Sequence, residues 1–304
     1  MTFSKMANHV KPQPPLIAAL EKRLAGTQPA RPYARIHASM LTYGGKKYCP
    51  REVALCDITG KSPKDEYINA TLQATFDMGW KIHHMVTDNW LNHIAVGHWK
   101  CVRCQSLSPF GPYPQQCGGR YPLSRGGAPC TSQGPFEYEE ENFQHRELKH
   151  TGSIDMLADL SDHGYDKLIA VEIKSIDKDE FKELKAPKAE HRVRSQLYLD
   201  IIANSDSEVR DMVDHTSARV LYVSKGFGAK SNGKVTPFKE FEVKASEKAV
   251  APYLNLARDV TLNWRRDGKI PSGVCSNAFS ARAKQCACAV ECWSGNYEAG
   301  KHHG

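Results

Sequence analysis

The chain lacks any long hydrophobic run. Nowhere among its 304 residues do apolar side chains follow one another for the roughly 18 positions that a membrane-spanning helix requires. The first residues also lack an apolar segment behind a basic flank, which is the pattern of a secretory signal. We therefore expect a soluble, intracellular protein with no membrane partner.

A strong charge of one sign and an internal repeat are also absent. Lys and Arg number 41 against 34 Asp and Glu, so the formal net charge is +7. This mild basic bias suits a polyanionic partner such as DNA but does not identify one. With 40% hydrophobic and 25% charged residues, the composition is that of a globular protein that can bury a core.

Cysteine, in contrast, is abundant and clustered. The ten cysteines form an early pair, a group of four within residues 101–130 and a group of four within residues 275–292. In an intracellular chain such clustering favours metal ligation over disulfide bonds. The three groups need separate explanations.

The composition along the chain changes at a few places and divides it into segments. A Pro-, Lys- and Arg-rich start predicts a flexible arm with one short helix. Helical periodicity stops before residue 99 and resumes after residue 135, so the stretch between looks like an insertion. The predicted segments are the arm (1–34), an N-terminal helical part (35–98), the insertion (99–135), the core (136–268) and a C-terminal cysteine segment (269–304).

Hydrophobic periodicity predicts a mixed α/β fold. Apolar residues recur at helical spacing over 69–95, with Phe76, Trp80, Val86, Trp90 and Ile94 among them. Further helices are predicted over 190–205 and 245–268, the last closed by Gly268. A hairpin between the first two helices and a strand over 218–226 complete the pattern.

The hairpin, residues 150–177, carries charges inside apolar runs. In the stretch KLIAVEIKSI, Glu172 and Lys174 point to one face of the strand and Val171 and Ile173 to the other. The strand is apolar on both faces near its start, which predicts a central position in a sheet. Antiparallel pairing through the turn would bring Asp155 beside Glu172.

Two adjacent carboxylates in a half-buried place are costly unless a cation offsets their charge. Mg²⁺ or Mn²⁺ prefers such oxygen ligands, polarises phosphate and generates hydroxide for attack. Lys174 would then orient the water or stabilise the developing negative charge. The alternative is a structural hairpin in which the charges simply pair.

The E-x-K spacing is not informative alone. The chain contains it four more times, at Glu147/Lys149, Glu180/Lys182, Glu183/Lys185 and Glu242/Lys244. Only Glu172 and Lys174 lie in an apolar strand that follows a G-x-x-D motif, Gly152 to Asp155.

With these motifs, the chain resembles the PD-(D/E)xK nucleases, specifically the RecB-like exonucleases with CRISPR-associated and phage members. The resemblance covers residues 35–293 outside the insertion. It implies a restriction-endonuclease-like core, a central mixed sheet flanked by helices, and a metal-dependent DNA exonuclease of phage or prokaryotic DNA recombination or processing. The implied partners are DNA and a recombination or replication protein, in the cytoplasm of a prokaryote or a virus-infected host cell.

The resemblance also implies roles for single residues. The G-x-x-x-H motif from Gly79 makes His83 a metal ligand, with His84 as the adjacent competitor, beside Asp155, Glu172 and the carbonyl of Ile173. Gln196, on the helix after the E-x-K strand, would support the geometry of the site. The family's tyrosine often follows four residues later, whereas Tyr198 follows after two, about 200° away around a helix. The nearby candidates for phosphate contacts are His191, Arg192 and Arg194.

Related exonucleases hold a [4Fe-4S] cluster with one early and three late cysteines. Cys49, in a C-P-R context, is the implied first ligand, and the C-x5-C spacing matches from Cys286 to Cys292. Cys275 is the implied third late ligand, but the usual C-x2-C is absent, so Cys288 competes for that place. Zinc is the alternative occupant, because thiolates suit both. Cys56 is predicted to be a small buried apolar residue.

The insertion predicts a structural zinc site. It opens with C-x2-C and is too poor in apolar residues for a core of its own, so zinc on four thiolates would supply the missing stability. The predicted ligands are Cys101, Cys104, Cys117 and Cys130, and the alternative is a loop without metal. Its arginines, Arg103, Arg120 and Arg125, either contact DNA or are simply solvated.

Two other functions remain open from the sequence. A non-catalytic DNA-binding or assembly module would keep the cysteine centres as structural elements. A site-specific endonuclease of the same fold would cut closed circular DNA, whereas an exonuclease needs an end.

Overall fold

The computed structural model describes residues 14–42, 48–226 and 236–295, which form a mixed α/β fold. The helices are α1 (Pro15–Leu24), α2 (Ala38–Thr42), α3 (Pro50–Thr59), α4 (Ala70–His84), α5 (Lys178–Glu183), α6 (Ala189–Ala203), α7 (Glu247–Arg258), α8 (Ala281–Gln285) and α9 (Ala289–Ser294). The strands are β1 (Gly26–Gln28), β2 (Glu66–Ile68), β3 (His98–Cys101), β4 (Phe136–Glu139), β5 (Glu141–Gln144), β6 (Thr151–Ile154), β7 (Met156–Ala158), β8 (Leu168–Ile176), β9 (Val213–Ser224) and β10 (Phe238–Lys244).

Shorter helical turns extend or link these elements. π-Helical turns at Met85–Trp90 and Asp259–Arg266 continue α4 and α7. Single 3₁₀ turns lie at Leu123–Arg125, Ser161–His163 and Arg210–Met212. Within the described ranges, no helix is both long and apolar enough to cross a membrane.

The central sheet has four strands in the order β10, β9, β8, β7. β8 pairs parallel with β9 and antiparallel with β7, so it lies inside the sheet. Residues 168–173 of β8 are all buried, as expected for a strand that is apolar on both faces. The predicted central position of this strand is confirmed.

The hairpin has the predicted antiparallel register. Met156 pairs with Val171 and Ala158 with Ile169, so one further step places Asp155 level with Glu172. Asp155 itself lies at a change of partner, because β6 before it pairs with β5 and β7 after it pairs with β8. The backbone therefore leaves one sheet and enters another at this carboxylate.

Helix α6 covers one face of the sheet and is buried around most of its circumference in its second half, with Leu197, Leu199, Ile201 and Ile202 in the core. It lies so close to β6 that Gly152 has no room for a side chain. A β-carbon at Gly152 would lie 2.7 Å from Cδ1 of Tyr198. Glycine is thus required here by close packing of a helix against a strand.

Helix α4 approaches β8 from the other side. A β-carbon at Gly79 would lie 3.2 Å from Oγ of Ser175, so the glycine allows close contact between the two elements. The long helix predicted over 69–95 is shorter than expected, since regular α-helix ends at His84 and the π-helical turn at Trp90. Phe76 and Trp80 are exposed although the periodicity assigned them to an apolar face. Ile82, two residues and about 160° around the helix from Trp80, and Val86, four residues after Ile82, face the core instead.

The insertion is closed at its base by pairing of β3 with β4. Trp99 and Tyr138 from these strands pack edge to face with ring centroids 5.1 Å apart. They belong to the same buried cluster as Ile82 and Met156. The cysteine-bearing insertion therefore shares the core of the sheet and does not form an independent lobe.

The first and last described segments pack against the helical part. Helix α1 lies against α4, and β1 pairs with β2, while residues 1–13 of the predicted arm lie outside the described residues. Asp57 of α3 accepts hydrogen bonds from Trp264 at 3.0 Å and Arg265 at 3.2 Å. Gly268 ends the last long helix as predicted, with φ 70°. The cysteine segment, described up to residue 295, then returns to α3 through α9.

We expect Gly152→Ala to lower the free energy of unfolding by about 1–3 kcal/mol, because the added methyl group overpacks the contact with Tyr198. Chemical unfolding of purified protein measures the difference. Gly26→Ala is the matched control, since a β-carbon there has no neighbour within 4 Å. Equal stability of the two variants would contradict the close packing of α6 on β6.

Candidate active site and cysteine centres

A lysine lies between two carboxylates on the central strand. Nζ of Lys174 is 2.7 Å from Oε1 of Glu172 and 3.4 Å from Oδ2 of Asp155. It also donates a hydrogen bond to the carbonyl of Ile173 at 3.1 Å. Both carboxylates are buried. The structure thus brings together Asp155, Glu172, Ile173 and Lys174, which the sequence analysis had grouped.

The backbone explains why these side chains converge. Glu172 and Lys174 are two residues apart on β8, so they project from the same face. Where the ladder between β7 and β8 ends, the side chain of Asp155 replaces a backbone acceptor, because Ile173 donates its N–H to Oδ2 at 2.7 Å. This bond fixes the carboxylate against β8.

A second group of potential metal ligands includes Asp155 and two residues from other elements. One ligand atom each from His83, Glu140 and Asp155 lies within 4.8 Å of the others, a spacing suited to one metal ion. His83 comes from the last turn of α4, and Glu140 connects β4 to β5. The sequence analysis had named His83 and Asp155 but missed Glu140. No local signal separates Glu140 from its neighbours, the acidic residues Glu137, Glu139 and Glu141.

The buried glutamate of the E-x-K motif has an unsatisfied oxygen. Oε1 of Glu172 contacts Lys174, whereas the buried Oε2 has no hydrogen-bond partner among the described residues. Burial, followed by the charge of Asp155, raises the pKa of Glu172 to about 7. A cation beside Oε2 would remove this penalty. The structure places Glu172 against Lys174 and Arg194, outside the group of His83, Glu140 and Asp155 whose ligand atoms lie within 4.8 Å of one another.

The charge of Asp155 raises the pKa of both Lys174 and Glu140. Burial alone lowers the pKa of Lys174, but Asp155 and Glu172 more than compensate, and the net shift is upward. The ammonium group therefore stays charged at neutral pH. Glu140 is exposed as a whole residue, but desolvation of its carboxyl group, followed by the charge of Asp155, raises its pKa.

The two adjacent histidines have different environments. Nδ1 of His84 is 2.7 Å from Oδ2 of Asp88, whose other oxygen accepts the N–H of Tyr138 at 3.0 Å. His84 thus belongs to a network that attaches α4 to β4. His83 is the histidine that joins Glu140 and Asp155, which favours it over its neighbour as the metal ligand.

The remaining predicted residues on α6 face different surroundings. Arg194 points to the site, with one guanidinium nitrogen 3.6 Å from Oε1 of Glu172. The amide of Gln196 donates to the carbonyl of Lys244 at 3.0 Å, so this side chain anchors α6 to β10 instead of touching Lys174. Arg192 is exposed and, among the contacts of the described residues, makes none with the site.

Two further side chains of α6, His191 and Tyr198, pack against other elements near the site. Nδ1 of His191 lies 2.7 Å from the hydroxyl of Tyr222, and burial together with the charge of Lys174 lowers its pKa to about 3. His191 is therefore neutral at physiological pH. Tyr198 is buried against Gly152, and burial, followed by the charges of Glu172 and Asp155, raises its pKa well above the usual range.

The four insertion cysteines form a compact buried group that could bind a metal ion. All four sulfur atoms lie within 4.8 Å of one another, with Cys101 and Cys130 4.0 Å apart and Cys104 and Cys117 3.5 Å apart. A tetrahedron of sulfurs about 2.3 Å from one central ion has edges of about 3.8 Å. The geometry therefore suits a single tetrahedral ion.

The terminal cysteines surround a larger space. Cys49, Cys275, Cys286 and Cys292 line one cavity of about 250 Å³. Burial raises the pKa of Cys49 and, with Glu52, raises that of Cys286 to about 12.

Cys288 faces a different residue, since its sulfur lies 3.2 Å from that of Cys56 in a separate buried contact. This arrangement favours Cys275 over Cys288 as a member of the terminal group. Cys56 is buried, as the sequence predicted.

We expect Glu140→Ala to weaken Mn²⁺ binding by at least about tenfold, because loss of an outer-shell partner already costs about 10–100-fold and Glu140 supplies a direct ligand atom. Titration calorimetry with Mn²⁺ measures the affinity. Glu139→Ala, one residue away, is the control and should bind as the parent does. Unchanged affinity of Glu140→Ala would exclude this residue from the metal group.

The chain matches no model of a known protein family, and no curated protein matches it. The residues and their geometry are therefore the basis for inferring its function.

Proposed function

We propose that the protein is a metal-dependent deoxyribonuclease that hydrolyses phosphodiester bonds from DNA ends, in the manner of the RecB-like exonucleases. The observation that carries this proposal is the lysine held between two buried carboxylates beside a convergent His–Glu–Asp group. A purely structural hairpin would satisfy its buried oxygens, whereas here Oε2 of Glu172 has no hydrogen-bond partner among the described residues. The resemblance supplies the preference for ends and a role in phage or prokaryotic DNA recombination or processing.

Several residues would hold the metal ion. His83, Asp155, Glu172 and the carbonyl of Ile173 would hold Mg²⁺ or Mn²⁺, with Glu140 as an additional ligand. A bound divalent ion supplies Lewis-acid polarisation of the phosphate and makes water acidic enough to act as a nucleophile at neutral pH. Carboxylate and carbonyl oxygens suit both Mg²⁺ and Mn²⁺.

Lys174 would stabilise negative charge on the phosphate. Its pKa is raised, so it is a poor base at neutral pH and a good partner for negative charge. Placed beside both carboxylates, the ammonium group would stabilise the charge that develops on the phosphate in the transition state. Arg194 would share this task or hold a neighbouring phosphate, with Arg192 further along the helix as a second phosphate contact.

We also propose identities for the two cysteine centres. The compact insertion group would hold Zn²⁺, because its sulfur–sulfur distances fit tetrahedral zinc and its ligands are all buried. The terminal group would hold a [4Fe-4S] cluster, because its four cysteines line a cavity of about 250 Å³ instead of meeting at one point. That cluster would fasten the C-terminal segment to α3.

The nuclease proposal predicts a specific pattern of lost activity. Asp155→Ala and Glu172→Ala should cut DNA slower by orders of magnitude, because the metal loses ligands, while DNA binding by dispersed Lys and Arg stays nearly intact. Lys174→Ala should keep the metal yet lose the chemical step. End-labelled linear DNA and closed circular DNA with Mg²⁺ or Mn²⁺ are the substrates.

Glu242→Ala and Lys244→Ala on β10 are matched controls from an exposed E-x-K of the same sheet and should cut at the parent rate. Cleavage of circles as well as linear DNA would identify an endonuclease. Folded Asp155→Ala and Glu172→Ala proteins that degrade DNA at the parent rate would overturn the nuclease proposal and favour a binding module.

The two cysteine centres should respond independently to substitution. Cys275→Ser should bleach the broad absorbance near 400 nm of anaerobically purified protein, whereas the matched Cys288→Ser should keep it, since Cys288 faces Cys56. Cys101→Ser with Cys104→Ser should remove zinc and leave iron. Metal analysis of the same samples counts both elements, and loss of iron from the insertion variant would refute this division.

A further inference from the structure

Two cysteines that neither proposed metal centre uses face each other in the interior. Cys56 lies on α3, and Cys288 directly precedes α9, 232 residues further along the chain. Their sulfur atoms are 3.2 Å apart, and the two residues are 5% and 0% exposed. Both are free thiols. The pair therefore brings together two segments that are remote in sequence.

The surroundings of the pair are apolar and offer no further metal ligand. Leu55 is fully buried in the same cluster, and Ile58 and Ala289 pack against it. Among the described residues, neither sulfur belongs to a group of three or more metal-ligating side chains that meet at one point. Zinc and iron–sulfur clusters normally require more ligands than two. The contact is therefore one between two thiols.

The distance between the two sulfurs suits formation of a bond. A disulfide is about 2.0 Å long, so the sulfurs of Cys56 and Cys288 need to approach by only about 1.2 Å. Small side-chain rotations supply such a movement and leave α3 and the start of α9 in place. The insertion also contains close sulfur pairs, at 3.5 and 4.0 Å, but there all four sulfurs surround one point that suits an ion.

We propose that Cys56 and Cys288 form a reversible disulfide when a peroxide reaches them, and that this bond fastens α9 to α3. The inference goes beyond the proposed function. It depends neither on DNA cleavage nor on what the terminal group holds, because both thiols lie outside the site and outside that group.

The reaction consumes one hydrogen peroxide. One cysteine sulfur attacks a peroxide oxygen, the O–O bond breaks, and the departing hydroxide leaves as water with the thiol proton. The second sulfur attacks the sulfenic acid so formed, the S–S bond forms, the S–O bond breaks, and a second water leaves. Two thiols lose two electrons and two protons, and one peroxide becomes two waters. Cys56, the less buried thiol, would meet the peroxide first.

Access to the pair requires a local opening, and α9 provides the place for it. This six-residue helix has no fully buried residue, and segments with little burial open more readily than the core. Once formed, the disulfide would close a loop that contains most of the chain, and the stabilisation by a disulfide grows with loop length. A thiol reductant would open it again by exchange.

Peptide mapping of the full-length protein tests the pairing. After treatment with a small molar excess of hydrogen peroxide and blocking of free thiols, trypsin should release the peptide 52–61, whose only cysteine is Cys56, linked to the peptide 285–301, which contains Cys288. A thiol reductant should separate the two peptides. Cys288→Ala should abolish the link, whereas the matched Cys292→Ala, four residues further along the same peptide, should keep it.

Thermal unfolding tests the fastening. The melting temperature of the parent should exceed that of Cys56→Ala by about 5 °C more after peroxide than in the presence of a thiol reductant, because only the parent can close the loop. Recovery of the peptide 52–61 in free form, or a link from Cys56 that survives Cys288→Ala, would overturn the inference. A linked parent without this gain in melting temperature would refute the fastening role. A linked parent that cuts no DNA would support the inference and contradict only the nuclease proposal.

Discussion

One ammonium group between two buried carboxylates determines much of this structure. Lys174 contacts both Asp155 and Glu172 at the centre of a sheet whose surrounding residues are apolar. Charges in such a place are tolerated only when they are paired, because desolvation otherwise costs several kcal/mol. Two negative groups against one lysine leave an excess that Arg194, 3.6 Å from Glu172, offsets only in part. Oε2 of Glu172, in addition, has no hydrogen-bond partner among the described residues.

The same constraint explains the architecture around the site. The chain changes its strand partner at Asp155, which frees this residue from the ladder and lets its side chain accept the N–H of Ile173. Gly79 lets α4 lie close enough to β8 for His83 to reach the same carboxylate. Glu140, in the short link between β4 and β5, is the third member of this group. Elements far apart in sequence therefore contribute to one small region of charge.

The cysteines show how geometry separates centres that composition alone does not. Four sulfurs within 4.8 Å of one another can share one ion, whereas the four terminal cysteines are spread around a cavity of about 250 Å³. The insertion group also lies in the core beneath α4 and the sheet, so its state affects the packing beside the proposed active site. The terminal group lies next to α3, where Glu52 pairs with Arg282 and accepts the N–H of Ala287 at 3.0 Å.

Much of the fold and of the site follows from patterns within single elements. Period-two alternation placed Glu172 and Lys174 on one face of a central strand, helical spacing placed α6 and α7, and cysteine spacing grouped the insertion ligands. Each of these depends on interactions between neighbours in sequence, which a local pattern records.

Tertiary structure decided every choice between similar residues that lie close together in sequence. His83 instead of His84, Cys275 instead of Cys288, and Glu140 among four glutamates depend on which side chain meets a distant segment. The exposure of Phe76 and Trp80 has the same origin, because helical periodicity describes a face but does not say whether another element covers it. The sequence by itself determined which residue types and strands form the site; only the packing of α4, β4 and the C-terminal segment against them decided which individual side chains reach it.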